Sequence, residues 1–142
     1  MLTTLSRAHH SAAMRPYEHL PHRYPFIMLD TAKVIEEKRH ARGSRLITIN
    51  DTVLQPDGTM FQPYIIESMA QISGIASGRR GSSLFAAITG LTFHGTVRAG
   101  DTLDVESTVE RSIGNMYIFA ACARAAGELI AKGGIVLHFD GE

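Results

Sequence analysis

The sequence predicts an α+β domain in which one long buried helix is covered by five or six mostly antiparallel strands, and three observations carry that expectation. Residues 64–78 follow a proline and bear apolar side chains on nearly every face, as a helix wrapped by other elements requires. Between 103 and 110, Leu103, Val105 and Val109 alternate with Asp104, Glu106, Thr108 and Glu110, the period of a half-exposed strand. Gly114-Asn115 is a two-residue hairpin signal between two strand-like runs. Such elements form a domain by laying one sheet face on a helix.

The first fifteen residues are expected to form a loosely docked arm, and residues 16–142 a single domain. The stretch 1–13 has no sustained apolar run, so neither a secretory signal nor an anchor is expected, and the location follows as cytoplasmic. Pro21 and Pro25 forbid a regular helix across 20–26 and favour an extended, sharply turned segment. A strand is expected over 27–35, a charged, solvated excursion over 36–42, and a return strand over 44–50. Pro56, Asp57 and Gly58 are turn chemistry. Pro63 suits the first turn of the helix, where its missing N–H is not needed. Further strands are expected over 84–93, 116–125 and 129–139.

Composition narrows the function. A chain of 142 residues, 44% hydrophobic and 20% charged, can bury one real core. Fourteen Lys and Arg against fourteen Asp and Glu leave no basic field for nucleic acid or an anionic membrane, so any anion binding is local. The most apolar window, 58–78, contains Gln62, Glu67, Gln71 and several serines, too polar to cross a bilayer. Cys122 is the single cysteine, which excludes an internal disulfide and a multi-thiolate metal site; it is expected in the core of a protein from a reducing compartment. No G-x-S-x-G elbow, phosphate loop or G-x-G-x-x-G is present, so serine-hydrolase, nucleotide and dinucleotide readings have no motif.

Glu67 is the one carboxyl side chain inside the apolar helix. Desolvation there raises a carboxyl pKa, and nearby N–H donors lower it. Tyr64, Glu67, Gln71 and Gly74 share one helical stripe and could line a pocket. Two readings fit: Glu67 is an acid or base, or Glu67 and Gln71 satisfy buried backbone groups. His22, between Pro21 and Arg23, is a candidate base on a rigid loop. His19 and His22 with one carboxylate lack a third ligand in register, so no metal is expected. His94 and the pair His9-His10 read as surface residues. Arg79 and Arg80 close the helix, where cations offset its dipole or receive a phosphate-bearing partner.

Four separated segments together resemble one family. Leu20-Pro21-His22-Arg23-Tyr24-Pro25-Phe26-Ile27-Met28-Leu29-Asp30 is similar to the N-terminal signature of the hotdog-fold β-hydroxyacyl-(acyl-carrier-protein) dehydratases. Ile65-Ile66-Glu67-Ser68-Met69-Ala70-Gln71 resembles their central helix, and the run from Leu91 through Phe93 to Asp101 their strand ending in P-G-D. Gly127-Glu128-Leu129-Ile130-Ala131 resembles their final strand, so the likeness spans 20–139.

The resemblance implies a sheet wrapped round a long helix, protomers paired edge to edge as a homodimer or higher homo-oligomer, and an acyl tunnel at the interface. It implies dehydration of a 3-hydroxyacyl thioester, on acyl-carrier protein or CoA, with no metal or organic cofactor. Backbone N–H groups at the helix start would polarise the thioester carbonyl. Glu67 takes the place of the helix carboxylate, with a raised pKa that suits an acid. Tyr64, Gln71, Gln62, Pro21 and Phe93 become substrate-binding residues, and Arg79, Arg80 and Arg98 a basic patch for carrier docking.

The departure is equally specific. The family's second catalytic group is the histidine of a G-H-F-P-G segment; here no histidine lies between His40 and His94, and counting back from Glu67 puts Val53 at that place. Gln62 stands where the family has a helix-start glycine. Three readings follow: a dehydratase with His22 as the replacement base, an acyl thioesterase using Glu67 to activate water, or a non-catalytic acyl- or carrier-binding subunit, such as one half of a heterodimer with a complete relative.

Overall fold

In the computed structural model, which describes residues 13–22 and 26–140, a 16-residue helix lies across a seven-stranded antiparallel sheet, so the expected α+β hotdog architecture is the observed one. The strands are β1 (Ala13–Met14), β2 (Thr31–Glu36), β3 (His40–Leu46), β4 (Ser83–Phe93), β5 (Thr102–Ile113), β6 (Met116–Ala125) and β7 (Glu128–Phe139), and the helix is α1 (Gln62–Ser77). The sheet order is β1-β2-β3-β5-β6-β7-β4. Of the expected arm, residues 1–12 lie outside the described residues, His9 and His10 among them, while Ala13–Met14 pairs with β2. Arg23, Tyr24 and Pro25 also lie outside them.

α1 carries the core. Phe61 precedes it, Pro63 sits in its first turn, and Gly78 ends it in the left-handed conformation at φ 72°. Every residue from Ser68 to Ser77 is buried, so the helix is enclosed on the faces its apolar pattern marked. Ser73 and Ser107, both fully buried, share a 2.7 Å hydroxyl hydrogen bond that fixes the helix on β5. Leu103, Val105, Phe119, Ala123 and Ile135 face it from the inner side of the sheet.

The β2–β3 hairpin corrects the sequence reading. The strands expected over 27–35 and 44–50 run from Thr31 and from His40, and most of the charged excursion is strand. Ala41 and Gly43 fill the buried positions between exposed Arg42 and half-buried His40, so the alternation is kept by residues too small to register as apolar. A Cβ on Gly43 would meet Ile72 Cδ1 and the Thr31 carbonyl at 3.1 Å, so the helix approaches β3 only over a glycine. Cys122 is likewise not in the core: Ala121 and Ala123 take the inner positions, which leaves Cys122 half-buried on the outer face. Burial, then the charge of Glu106, push its thiol pKa up.

The segment between β3 and α1 is pinned by an ion pair. Arg45 Nη2 donates to Asp51 Oδ1 at 2.6 Å, and both side chains are largely buried, at 14% and 9% exposure. Asp51→Ala leaves the guanidinium without its anion and is expected to cost about 3 kcal/mol in denaturant unfolding. A loss below about 1 kcal/mol would place the pair with ordinary surface bridges.

Candidate active site

The site begins with Gln71. Its side chain is 2% exposed, its Oε1 accepts the Met28 N–H at 2.8 Å, and its Nε2 donates to the Phe26 carbonyl at 2.9 Å and to Glu67 Oε1 at 3.0 Å. One amide therefore ties the chain at 26–28 to the helix and holds the carboxylate one turn earlier. Gln71 borders the same cleft as Glu67, with its donors committed to Phe26 O and Glu67 Oε1.

Across the same carboxylate lies His22, its Nε2 3.3 Å from Glu67 Oε1, with the two side chains 32% and 36% exposed. Burial is the largest influence on Glu67 and pushes its pKa up, but hydrogen bonds from His22 and Gln71, with the charge of His22, outweigh it and hold the carboxyl below its ordinary range. The raised pKa expected from the sequence is thus corrected. The apolar helix was legible; the imidazole brought against it from another segment was not.

Glu67 and His22 line a cleft of about 70 Å³ between α1 and the sheet. Pro21 lines it, Ala70 and Gly74 continue along the helix, Ser83, Phe85, Leu137 and Phe139 line it from the sheet, and Arg79 borders it past the end of α1. His19 also borders it, its pKa lowered by burial and by the neighbouring Arg80 charge. Sequence spacing could not find the sheet residues, because only the β4–β7 register carries them under the helix.

Three expected lining residues fall elsewhere. Tyr64 packs edge-on against Phe61, with ring centroids 5.8 Å apart, and turns away from the cleft. Gln62 is exposed at the helix start, and Phe93 packs on the core at the end of β4. Of the amides at the helix start, Phe61 N–H donates to Val53 O at 2.9 Å, Tyr64 N–H donates to Phe61 O at 3.0 Å, and Pro63 has none.

The expected basic patch does not form. Arg79 and Arg80 follow the C-terminus of α1, whereas Arg98 bridges to Thr59 ahead of its N-terminus. Sixteen residues of helix separate the two ends, roughly 24 Å. Nor is Arg79 a solvated helix end: it is half-buried, its guanidinium 5.2 Å from the Phe139 ring centroid and 5.8 Å from that of Tyr117.

A second histidine–carboxylate pair, His40–Glu106, lies on the outer face, where Arg42 also reaches Glu106 at 3.5 Å. Burial pushes this carboxyl up, but the His40 hydrogen bond and the Arg42 charge bring it below its ordinary range. Depressions of about 390 and 440 Å³, larger than the Glu67 cleft, flank it and are lined by strand residues alone. Two bases on one anion describe a cross-strand brace. Among the described residues no group of three His, Cys, Asp or Glu side chains is placed to hold a metal ion, and no helix is long and apolar enough to cross a membrane.

No family model matches the chain. It is 34% identical over 132 residues to the 3-hydroxyacyl-(acyl-carrier-protein) dehydratase FabZ of Campylobacter jejuni strain RM1221, covering 84% of this chain and 90% of that protein. It is 32% identical over 126 residues to the protein of the same name from Campylobacter lari, covering 80% and 86%. Its fold is similar to the dehydratase heterocomplex ApeI:P from Xenorhabdus doucetiae, with a TM-score of 0.78, 17% identity, and coverage of 91% of this chain and 93% of that one. The hypothetical thioesterase from Streptococcus pneumoniae TIGR4, solved with coenzyme A, shares the fold at a TM-score of 0.64 and 14% identity, covering 81% and 90%.

Proposed function

The chain belongs to the hotdog-fold 3-hydroxyacyl-(acyl-carrier-protein) dehydratase family, and from that premise we propose that it interconverts 3-hydroxyacyl and trans-2-enoyl thioesters with Glu67 and His22 as its acid–base pair. The observation that carries this reading is the 3.3 Å contact between the two side chains in a cleft lined by both polar and apolar residues between α1 and the sheet.

The pair can complete the cycle alone. Holding one titratable proton between them, the two groups become neutral imidazole and carboxylic acid when that proton sits on Glu67. His22 then takes the α-proton, Glu67 gives its proton to the departing hydroxyl, and water and the enoyl thioester form. The proton gained by His22 replaces the one lost by Glu67, so the pair returns to its starting charge. A substrate hydroxyl entering between them breaks the bond from His22 and leaves burial as the dominant influence, which favours the acid form of Glu67 where it is needed. No metal or organic cofactor takes part in this scheme.

The substrate arm is acyl-carrier protein or CoA, after the carrier named for the relatives. β4 ends the sheet with Leu84 66% and Ile88 41% exposed, an edge suited to a second copy pairing along it as a homodimer or higher oligomer. A cytoplasmic setting suits a chain whose one cysteine is unpaired. A second reading has its own support. Val53, at the place of the family's catalytic histidine, is 2% exposed and turned into its own core, so that loop offers a partner no imidazole. A heterodimer in which a complete relative supplies its histidine opposite Glu67 fits this, and one structural neighbour is a heterocomplex.

The deciding experiment incubates purified protein with a 3-hydroxyacyl thioester on carrier protein. Enoyl thioester formed by the protein alone supports the pair; formation only with a relative added supports the heterodimer. Release of free thiol from saturated acyl thioesters marks a thioesterase, and carrier binding without either product marks a non-catalytic subunit.

A further inference from the structure

We propose that the cleft beside Glu67 seats the acyl tail and restricts it to short chains, with Gly74 as its floor and Arg79, laid on Phe139, as its end wall. The placement of the reacting carbons rests on the dehydratase reading above; the length limit rests on the walls. Besides His22 and Glu67 the lining carries an apolar share, Leu20, Ala70 and Gly74 from the helix side and Phe85, Leu137 and Phe139 from the sheet, with His19, Gln71 and Ser83 as its polar members. A tail whose reacting carbons lie between the pair has this trench to follow. Ala70 and Gly74, one and two turns beyond Glu67, keep it open because they carry almost no side chain.

Arg79 borders the trench past the end of α1, with Gly81 and Ser83. Arg79 stands over Phe139 at 5.2 Å, and its Nη1 donates to Asn115 Oδ1 at 3.3 Å. A methyl terminus pressed on that guanidinium would strip water from a charge and return no hydrogen bond, so a tail that reaches it loses affinity. The cleft's 70 Å³, at roughly 10–15 Å³ per water-sized group, holds roughly five to seven such groups, the size of a short acyl tail. A Cβ on Gly74 would lie 3.6 Å from Leu20 Cδ2, an ordinary contact, so Gly74→Ala fits the fold while taking one methyl group from the trench.

The test is calorimetric binding of saturated acyl-pantetheine thioesters, from two to ten carbons, to the wild type and to Gly74→Ala, Gly74→Leu and Arg79→Ala. Each buried methylene is worth about fourfold in affinity. Wild-type affinity is expected to climb at that rate to roughly the length that the volume sets and then to level or fall. Gly74→Ala should bring the ceiling about one carbon shorter, Gly74→Leu should flatten the profile, and Arg79→Ala should move the ceiling longer. Affinity that climbs unbroken to ten carbons, a profile undetectable at every length, or Gly74 variants that keep the wild-type ceiling would each overturn the proposal. Turnover is scored separately. The expected profile without interconversion of hydroxyacyl and enoyl thioesters sinks the dehydratase reading and leaves the acyl site standing.

Discussion

Glu67→Gln is expected to lower turnover of a 3-hydroxyacyl-carrier thioester by about a hundredfold to ten-thousandfold, the range for losing a positioned general acid. The amide keeps the size of the carboxyl and can still meet Gln71, whose Nε2 lies 3.0 Å from Glu67 Oε1, so the clamp on residues 26–28 survives. It cannot carry a proton to the leaving hydroxyl. The loss should therefore fall on kcat, with KM and the unfolding midpoint close to wild type. A variant that turns over at the wild-type rate would remove Glu67 from the chemistry; one that loses rate only by unfolding would make it a structural acid.

His22→Ala is expected to cost about a hundredfold or more in turnover and, independently, to raise the pKa of Glu67. In the wild type burial pushes that carboxyl up while His22 and Gln71 bring it below its ordinary value of 4.5. A carboxyl whose pKa is lower folded than unfolded stabilises the protein above the unfolded value, and that contribution is lost as pH falls from about 4.5 through the folded value. Removing His22 deletes one hydrogen bond and one charge and leaves the burial in place. The variant should thus be less stable near neutrality and lose less on acidification, a difference read from denaturant unfolding between pH 7 and about pH 3. Parallel pH–stability curves would show that the contact in the cleft carries no electrostatic coupling.

Legibility from sequence followed the size of side chains and the span of contacts. The helix and β5–β7 were readable because their periodicity is written in large apolar residues, from Ile65 to Ile75 and in Leu103, Val105 and Phe119. β3 was misplaced because its buried positions are Ala41 and Gly43, which carry the strand pattern without bulk. Cys122 was misassigned by its chemistry as a residue type, although the alternation of β6 sets it outward. Glu67 was readable as a lone carboxyl in an apolar helix, and His22 as an imidazole on a proline-shaped loop. Their meeting was not, since it depends on the Gln71 clamp to the Phe26 carbonyl and Met28 amide, backbone atoms that no side-chain pattern reveals. The basic patch failed for a geometric reason: residues grouped by charge alone were separated by the length of α1.

The most direct measurement incubates a short trans-2-enoyl thioester on carrier protein with the wild-type protein in heavy water and reads the product by mass spectrometry. If Glu67 and His22 exchange protons with the substrate as proposed, the enoyl thioester becomes the 3-hydroxyacyl thioester bearing one deuterium on its α-carbon, and the His22→Ala protein forms it at least about a hundredfold more slowly. Enoyl thioester left unhydrated, with no deuterated 3-hydroxyacyl product, or free acid in its place, would contradict the assignment of this pair as the machinery of dehydration.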